Sequence, residues 1–155
     1  MTDPARTTHE PKGGFTCLIV EDDPGFAELE RRLVGDEGGV PTVCHTLAQA
    51  AAATAGRAYD VVLLDNHLPD GQAYDWYDRM SRRNPDAPII MITGVPDLTE
   101  AIRLTRNGLF EYLTKPVEAE QLVTLIRRAR QRREHREATD AAHEMLGNSA
   151  AMRVV

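Results

Sequence analysis

The run Val61-Val62-Leu63-Leu64-Asp65, followed by Asn66-His67-Leu68-Pro69-Asp70-Gly71, decides how this chain folds. Branched apolar residues that end in a carboxylate, with turn formers after it, predict a short strand buried on both faces. Asp65 then stands at the strand's C-terminal end, the edge where open parallel sheets bind ligands. Taken alone, an acid in that place also serves as an ordinary cap or turn residue.

Three more runs end in the same way. Phe15-Thr16-Cys17-Leu18-Ile19-Val20 leads into Glu21-Asp22-Asp23, Ile89-Ile90-Met91-Ile92 into Thr93-Gly94, and Phe110-Glu111-Tyr112-Leu113-Thr114 into Lys115-Pro116. If the strands are parallel, these ends meet at one rim. That rim holds an acidic cluster, a hydroxyl and a lysine.

Between the strands lie helical patterns. Asp23 before Pro24 is an N-cap acid followed by proline at the first helical position, and Phe26, Leu29 and Leu33 fall on one face behind it. Residues 46–56 are Ala-rich. Tyr74, Tyr77 and Met80 mark a third helix, with Trp76 on its partly exposed flank. Asp97 with Glu100 three residues on resembles a capping box, and a fifth helix begins near Glu118 with Leu122, Leu125, Ile126 and Ala129. Strand–helix alternation of this kind predicts an α/β fold, a doubly wound parallel sheet with helices on both faces.

Composition bounds the rest. At 155 residues, 42% of them hydrophobic, the chain supports one real core, and a net charge of −6 argues against nucleic-acid binding by the whole chain. No apolar stretch reaches the roughly 20 residues that span a bilayer, and residues 1–14 read as a disordered leader without the apolar centre of a signal peptide. A cytoplasmic location with no membrane contact is expected. Cys17 falls on the first strand and Cys44 on a second, shorter one read over Val40 to Cys44, and both read as small buried hydrophobes. From Arg127 on, Arg127, Arg128, Arg130, Arg132, Arg133 and Arg136 form a basic run with Glu134 and Glu137 interleaved, and helix formers continue to Leu146. The spacing of Leu122, Ile126 and Ala129 breaks at Arg133 and resumes with Ala138, Ala142 and Met145. Both a coiled-coil linker and a solvated helical tail fit it.

Clustered carboxylates repel one another unless a cation or proton intervenes. Mg²⁺ suits a carboxylate site that also offers water and phosphate oxygens. Beside it, a carboxylate can act as a nucleophile toward a phosphoryl group, with Lys115 and Thr93 supplying charge and a polar contact. The plainer alternatives are an ion pair for Lys115, a strand position for Thr93, and helix capping for Glu21 or Asp23.

The stretches Leu18-Ile19-Val20-Glu21-Asp22-Asp23, Asp60-Val61-Val62-Leu63-Leu64-Asp65 with Leu68-Pro69-Asp70-Gly71, Met91-Ile92-Thr93-Gly94 and Tyr112-Leu113-Thr114-Lys115-Pro116 together resemble the receiver domain of two-component response regulators. The resemblance covers residues 15–130. It implies a five-stranded parallel sheet of order 2-1-3-4-5 flanked by five helices. It implies Asp65 as phosphoacceptor, and Mg²⁺ held at Glu21, Asp22, Asp65 and the backbone carbonyl of His67. Thr93 and Lys115 would hold phosphoryl oxygens, Tyr112 would be the aromatic switch that follows Thr93, and the Lys115–Pro116 peptide would be cis. His67 and Val95 occupy the two variable positions that flank the phosphoryl group in this family.

The end of the chain, Leu146-Gly147-Asn148-Ser149-Ala150-Ala151-Met152-Arg153-Val154, resembles the first residues of the AAA+ ATPase domain in NtrC-type activators of sigma-54 transcription. No GxxxxGK[ST] motif occurs. The expected organisation is a leader (1–14), a receiver (15–130), a helical linker (131–146) and the start of a truncated output domain (147–155). The expected role is a phosphorylation-activated switch served by a sensor histidine kinase, without enzymatic turnover beyond slow self-dephosphorylation and without DNA contact from this fragment. It would form a homodimer through the helix 4–strand 5–helix 5 face or through the long fifth helix. Two rivals stand beside it. One is a pseudo-receiver used only as a dimerisation module. The other is an aspartyl-nucleophile phosphatase, which needs a second acid two residues after the nucleophile, where His67 stands.

Overall fold

In the computed structural model each apolar run forms a strand of one parallel sheet. The structure describes the backbone of residues 14–83 and 85–154, and the side chains of these except 136, 140 and 143–154. The strands are β1 (Phe15–Val20), β2 (Gly39–Cys44), β3 (Val61–Asp65), β4 (Ile89–Thr93) and β5 (Glu111–Thr114). They alternate with α1 (Pro24–Asp36), α2 (Leu47–Thr54), α3 (Ala73–Arg83), α4 (Leu98–Arg106) and α5 (Ala119–Val154). The order across the sheet is β2-β1-β3-β4-β5, all parallel, as the resemblance to receiver domains implies. The turn expected after β3 is a small hairpin, in which His67 and Leu68 pair antiparallel with Gln72 and Gly71.

Side chains alternate across a strand with period two, so each strand feeds two cores. Leu18, Val20, Val62, Leu64 and Met91 pack with Ala50 of α2, Tyr74, Tyr77 and Met80 of α3 and Leu104 of α4. Cys17, Ile19, Val61, Leu63, Ile90 and Ile92 pack on the other side with Val34 of α1 and Leu122, Leu125, Ile126 and Ala129 of α5. Cys17 and Cys44 therefore lie in different layers although their strands are neighbours. Both are buried free thiols.

The helices start where the caps predict. Asp23 accepts from the Gly25 N–H at 3.3 Å, and Asp97 accepts from the Glu100 N–H at 3.2 Å. Gly38 (φ 87°) and Gly108 (φ 100°) follow α1 and α4 in the left-handed conformation that glycine adopts at least cost.

Three expectations need correction. Trp76 is buried, not flanking, because α2 covers that side of α3: it lines a cleft with Leu47, Ala48 and Ala51. The most deeply buried positions of α1 are Ala27, Glu30 and Val34, and Leu29 is only half-buried, so the buried stripe is rotated and includes a charged residue type. The last helix does not stop at Leu146 but runs on through Gly147 to Val154. A glycine costs a helix about 1 kcal/mol relative to alanine, too little to end one when helix formers such as Ala150 and Ala151 follow. The leader expected at 1–14 lies, apart from Gly14, outside the described residues.

Candidate functional site

Parallel register brings the strand ends together. Val20 pairs with Leu64, Asp65 with Ile92, and Thr93 with Thr114. The residues at or just beyond those pairs are Glu21, Asp65, Thr93 and Lys115, gathered at one edge of the sheet. Glu21 is fixed there by its backbone: its N–H donates to the Cys44 carbonyl at 2.9 Å, and its carbonyl accepts from His45 Nδ1 at 3.0 Å.

Glu21, Asp22 and Asp65 offer carboxylate oxygens that all lie within 4.8 Å of one another. Glu21 and Asp65 are buried and Asp22 is exposed. Asp23 is not in the cluster; its side chain caps α1, and its N–H donates to Glu21 Oε2 at 3.1 Å. Lys115 reaches across from the end of β5. Its Nζ is 2.9 Å from Glu21 Oε1 and 3.7 Å from Asp65 Oδ2, and sits over the Phe26 ring, 4.6 Å from its centre.

The electrostatics follow from burial. Burial, together with the neighbouring Asp65 carboxylate, pushes the Glu21 carboxyl up to about 7 against the pull of Lys115. Burial also works against the charged Lys115, but the Glu21 and Asp65 carboxylates outweigh it and hold the ammonium above its ordinary value. Such a pocket carries more negative charge than one lysine neutralises. Three hard oxygen donors, one of them open to solvent, fit a small divalent cation that keeps several waters.

Thr93 is fully buried at the rim, and its hydroxyl is turned to the backbone of Val95, with contacts of 3.1 Å to the N–H and 3.3 Å to the carbonyl. Tyr112 is half-buried, and its hydroxyl meets the Tyr74 hydroxyl at 2.5 Å and accepts from the Asp97 N–H at 3.0 Å. His67 is exposed in the hairpin after β3. The Lys115–Pro116 peptide is cis, and the Lys115 N–H donates to the Thr93 carbonyl at 2.8 Å.

Four residues near the site carry roles that the sequence reading missed. Glu30 is buried on α1, and its Oε1 has no hydrogen-bond partner among the described residues. Burial, then the charges of Glu21 and Asp65, raises its carboxyl well above the ordinary range although Lys115 pulls the other way. Its placement three residues after Ala27 and four before Val34 was the available signal. Asn66 accepts the Tyr74 N–H at 3.0 Å, binding the loop after Asp65 to the start of α3. Asp70 accepts from the Leu47 and Ala48 N–H groups, both at 2.9 Å, and so ties the same loop to α2. Tyr74 is the fourth.

Residues 17–127 match the family model of the response regulator receiver domain. The chain belongs to that family. Its relatives include the response regulator protein PilR of Pseudomonas aeruginosa, 32% identical over 140 residues, which cover 90% of this chain and 32% of that protein. The nitrogen assimilation regulatory protein NtrX of Azorhizobium caulinodans is 29% identical over 143 residues, covering 87% of this chain and 32% of that protein. The chain thus spans about a third of the length of either relative. Among solved structures, the beryllofluoride-activated NtrC4 receiver domain dimer superposes with a TM-score of 0.71 at 26% identity, covering 76% of this chain and 98% of that one. The fold is that of receiver domains. No helix among the described residues is long and apolar enough to cross a membrane.

Proposed function

We propose that this receiver is a phosphorylation-activated switch with Asp65 as its phosphoacceptor. The observation that carries the reading is the position of Lys115 Nζ, 2.9 Å from Glu21 and 3.7 Å from Asp65, beside three carboxylates that converge within 4.8 Å. Asp65 Oδ forms a bond to phosphorus as the phosphorus–nitrogen bond of a kinase phosphohistidine breaks. The electron pair leaves with the imidazole nitrogen, which takes up a proton. Lys115 is placed to meet the charge that spreads over the phosphoryl oxygens. Glu21, Asp22 and Asp65, with the His67 carbonyl, are the residues that would hold Mg²⁺. That ion would offset their mutual repulsion and the charge of the incoming group. Thr93 would exchange its contact with Val95 for one with the phosphoryl group, and Tyr112 would follow. The domain is then a stoichiometric acceptor and not a turnover enzyme.

Two further parts of the reading concern output. Val95, Leu98 and Ile102 are 61%, 77% and 46% exposed, which supports the α4–β5–α5 face as a homodimer contact, with the projecting part of α5 as the alternative. The likeness to PilR, NtrX and the NtrC4 receiver supports an output domain of the NtrC type that activates sigma-54 transcription. Among the described residues, three arginines of α5 are ion-paired: Arg127 with Glu37, Arg130 with Glu134, and Arg133 with Asp60 and Glu137. Their engagement supports a structural role for this run and no DNA contact.

The test is intact-mass spectrometry after incubation with acetyl phosphate and Mg²⁺. One phosphoryl adduct is expected, lost without Mg²⁺ and absent in Asp65→Asn. A folded protein that binds Mg²⁺ yet gains no adduct would reject the phosphoacceptor and leave a dimerisation module. Continuous hydrolysis of a phosphate ester would point to a phosphatase.

A further inference from the structure

Tyr74, near the start of α3, makes hydrogen bonds to three separate parts of the domain. Its backbone N–H donates to Asn66 Oδ1 at 3.0 Å, and Asn66 directly follows Asp65. Its carbonyl accepts from Arg103 Nη2 of α4 at 3.2 Å, and that arginine is itself held by Glu100. Its hydroxyl meets the Tyr112 hydroxyl of β5 at 2.5 Å. The ring is buried in the core layer beneath α3 and α4. Burial, and then the Tyr112 hydroxyl, keeps the Tyr74 phenol well above its ordinary pKa, so it remains a neutral donor and acceptor.

The far end of that contact matters most. The Tyr112 hydroxyl also accepts the Asp97 N–H at 3.0 Å, and Asp97 is the N-cap of α4. Thr93 and Asp97 bound the loop 94–97, and each end of it is pinned: Thr93 by its own contact with Val95, Asp97 by Tyr112. A Thr93 hydroxyl drawn toward Asp65 would free one end. The other stays fixed until Tyr112 lets go, and Tyr112 is held in turn by Tyr74.

We propose that Tyr74 is a positioning residue whose hydroxyl keeps Tyr112 against the N-terminus of α4 and so weights the domain toward its unmodified arrangement. This rests on the reading of Asp65 as phosphoacceptor. The backbone of the same residue, bonded to Asn66 and Arg103, joins the phosphoacceptor loop to α4. A change at Asp65 and a change at α4 therefore meet at one residue. Losing a single hydrogen bond of ordinary net strength shifts a two-state ratio by about fivefold. Tyr74→Phe removes that bond and leaves the ring in the core.

The test is backbone-amide NMR of the whole chain. For the wild type, the free form and the form saturated with beryllofluoride and Mg²⁺ define a line for the amides of Ala101, Ile102 and Leu104. Free Tyr74→Phe is expected to lie along that line toward the saturated end, with the ratio of the two states raised about fivefold. Tyr112→Phe breaks the same contact from the other side and should move the same way, which keeps the test open if Tyr74→Phe does not fold. The double variant should shift less than the sum of the two, because both singles remove the shared Tyr74–Tyr112 bond, while Tyr112→Phe alone also removes the Asp97 contact. Variant amides that keep their wild-type positions, or leave the line, would overturn the role of Tyr74. A wild type that ignores beryllofluoride with Mg²⁺ would overturn the phosphoacceptor reading itself, and this inference with it.

Discussion

Replacing Glu30 by methionine should stabilise the domain. Glu30 is 2% exposed, and its Oε1 meets no hydrogen-bond donor among the described residues. A buried polar atom left unpaired costs about 1–3 kcal/mol. Methionine has nearly the same length, a comparable helix propensity and enough freedom to fill an irregular gap. The gain at neutral pH is therefore expected to be about 1–3 kcal/mol. It should also depend on pH in a fixed direction. Burial, with Glu21 and Asp65 nearby, raises the Glu30 carboxyl above its ordinary value of 4.5. A raised acid contributes its full stability below the unfolded pKa, and that contribution is lost as pH rises toward the folded one. The advantage of Glu30→Met should thus be smaller at pH 5 than at pH 8. Glu30→Gln should lose the pH dependence yet keep the unpaired oxygen, and so gain less. Urea unfolding of the three proteins at both pH values measures this. A methionine variant less stable than wild type, or a gap that does not change with pH, would mean that the carboxyl is partnered or already ionised.

Two other substitutions probe how the site is supported. A Cβ on Gly39 would lie 2.6 Å from the Phe15 ring and 2.7 Å from Val34 Cγ1, so Gly39→Ala should cost about 1–3 kcal/mol by overpacking, read by urea unfolding. The Leu47 and Ala48 N–H groups hold the Asp70 carboxyl below its ordinary value. Asp70→Asn should therefore lower the melting temperature at pH 7, and the difference should close as pH falls below 3.8, since a depressed acid contributes its stability above the unfolded pKa. A melting temperature that is the same at pH 7 would remove Asp70 as a tie between α2 and the loop after β3.

The meeting of Glu21, Asp65, Thr93 and Lys115 was legible because it depends on backbone direction, whereas the strand order came only from the resemblance to receiver domains. Parallel strands put every C-terminal end on one rim, and the polar residue that closes each apolar run marks that end. What was illegible depends on side-chain neighbours distant in sequence. Trp76 reads as a flank when α3 is viewed alone, and only α2 covers it. The spacing of Glu30 from Ala27 and Val34 hints at burial, but its residue type does not, and the packing of α1 against the sheet decides it. The Tyr74–Tyr112 contact joins α3 to β5, and nothing in either local pattern signals it. Asp70 was visible as a turn residue, but its hydrogen bonds run to α2, which precedes it by more than twenty positions.

The last helix shows the same division. As a charge run, residues 127–137 read equally well as a solvated tail. In the fold, the Arg127 guanidinium makes two hydrogen bonds to Glu37, at 2.7 and 3.0 Å, and Arg130 donates to the Glu37 carbonyl at 3.3 Å while covering the Phe15 ring. Arg133 stands 4.0 Å from Asp60. Glu37 follows α1 and Asp60 precedes β3, so these contacts lie at the edge of the sheet opposite the acidic pocket. With 62% of its side chain exposed, the Arg127 pair adds little stability on its own. Its effect is on direction. The helix begins just after Lys115 and Pro116, is packed by Leu122, Leu125, Ile126 and Ala129, and is guided by these arginines until it leaves the sheet. At about 1.5 Å per residue its whole length is roughly 54 Å. Up to Arg133 the helix is held along the domain in this way, and there it is not the free tail that the charge run also allowed.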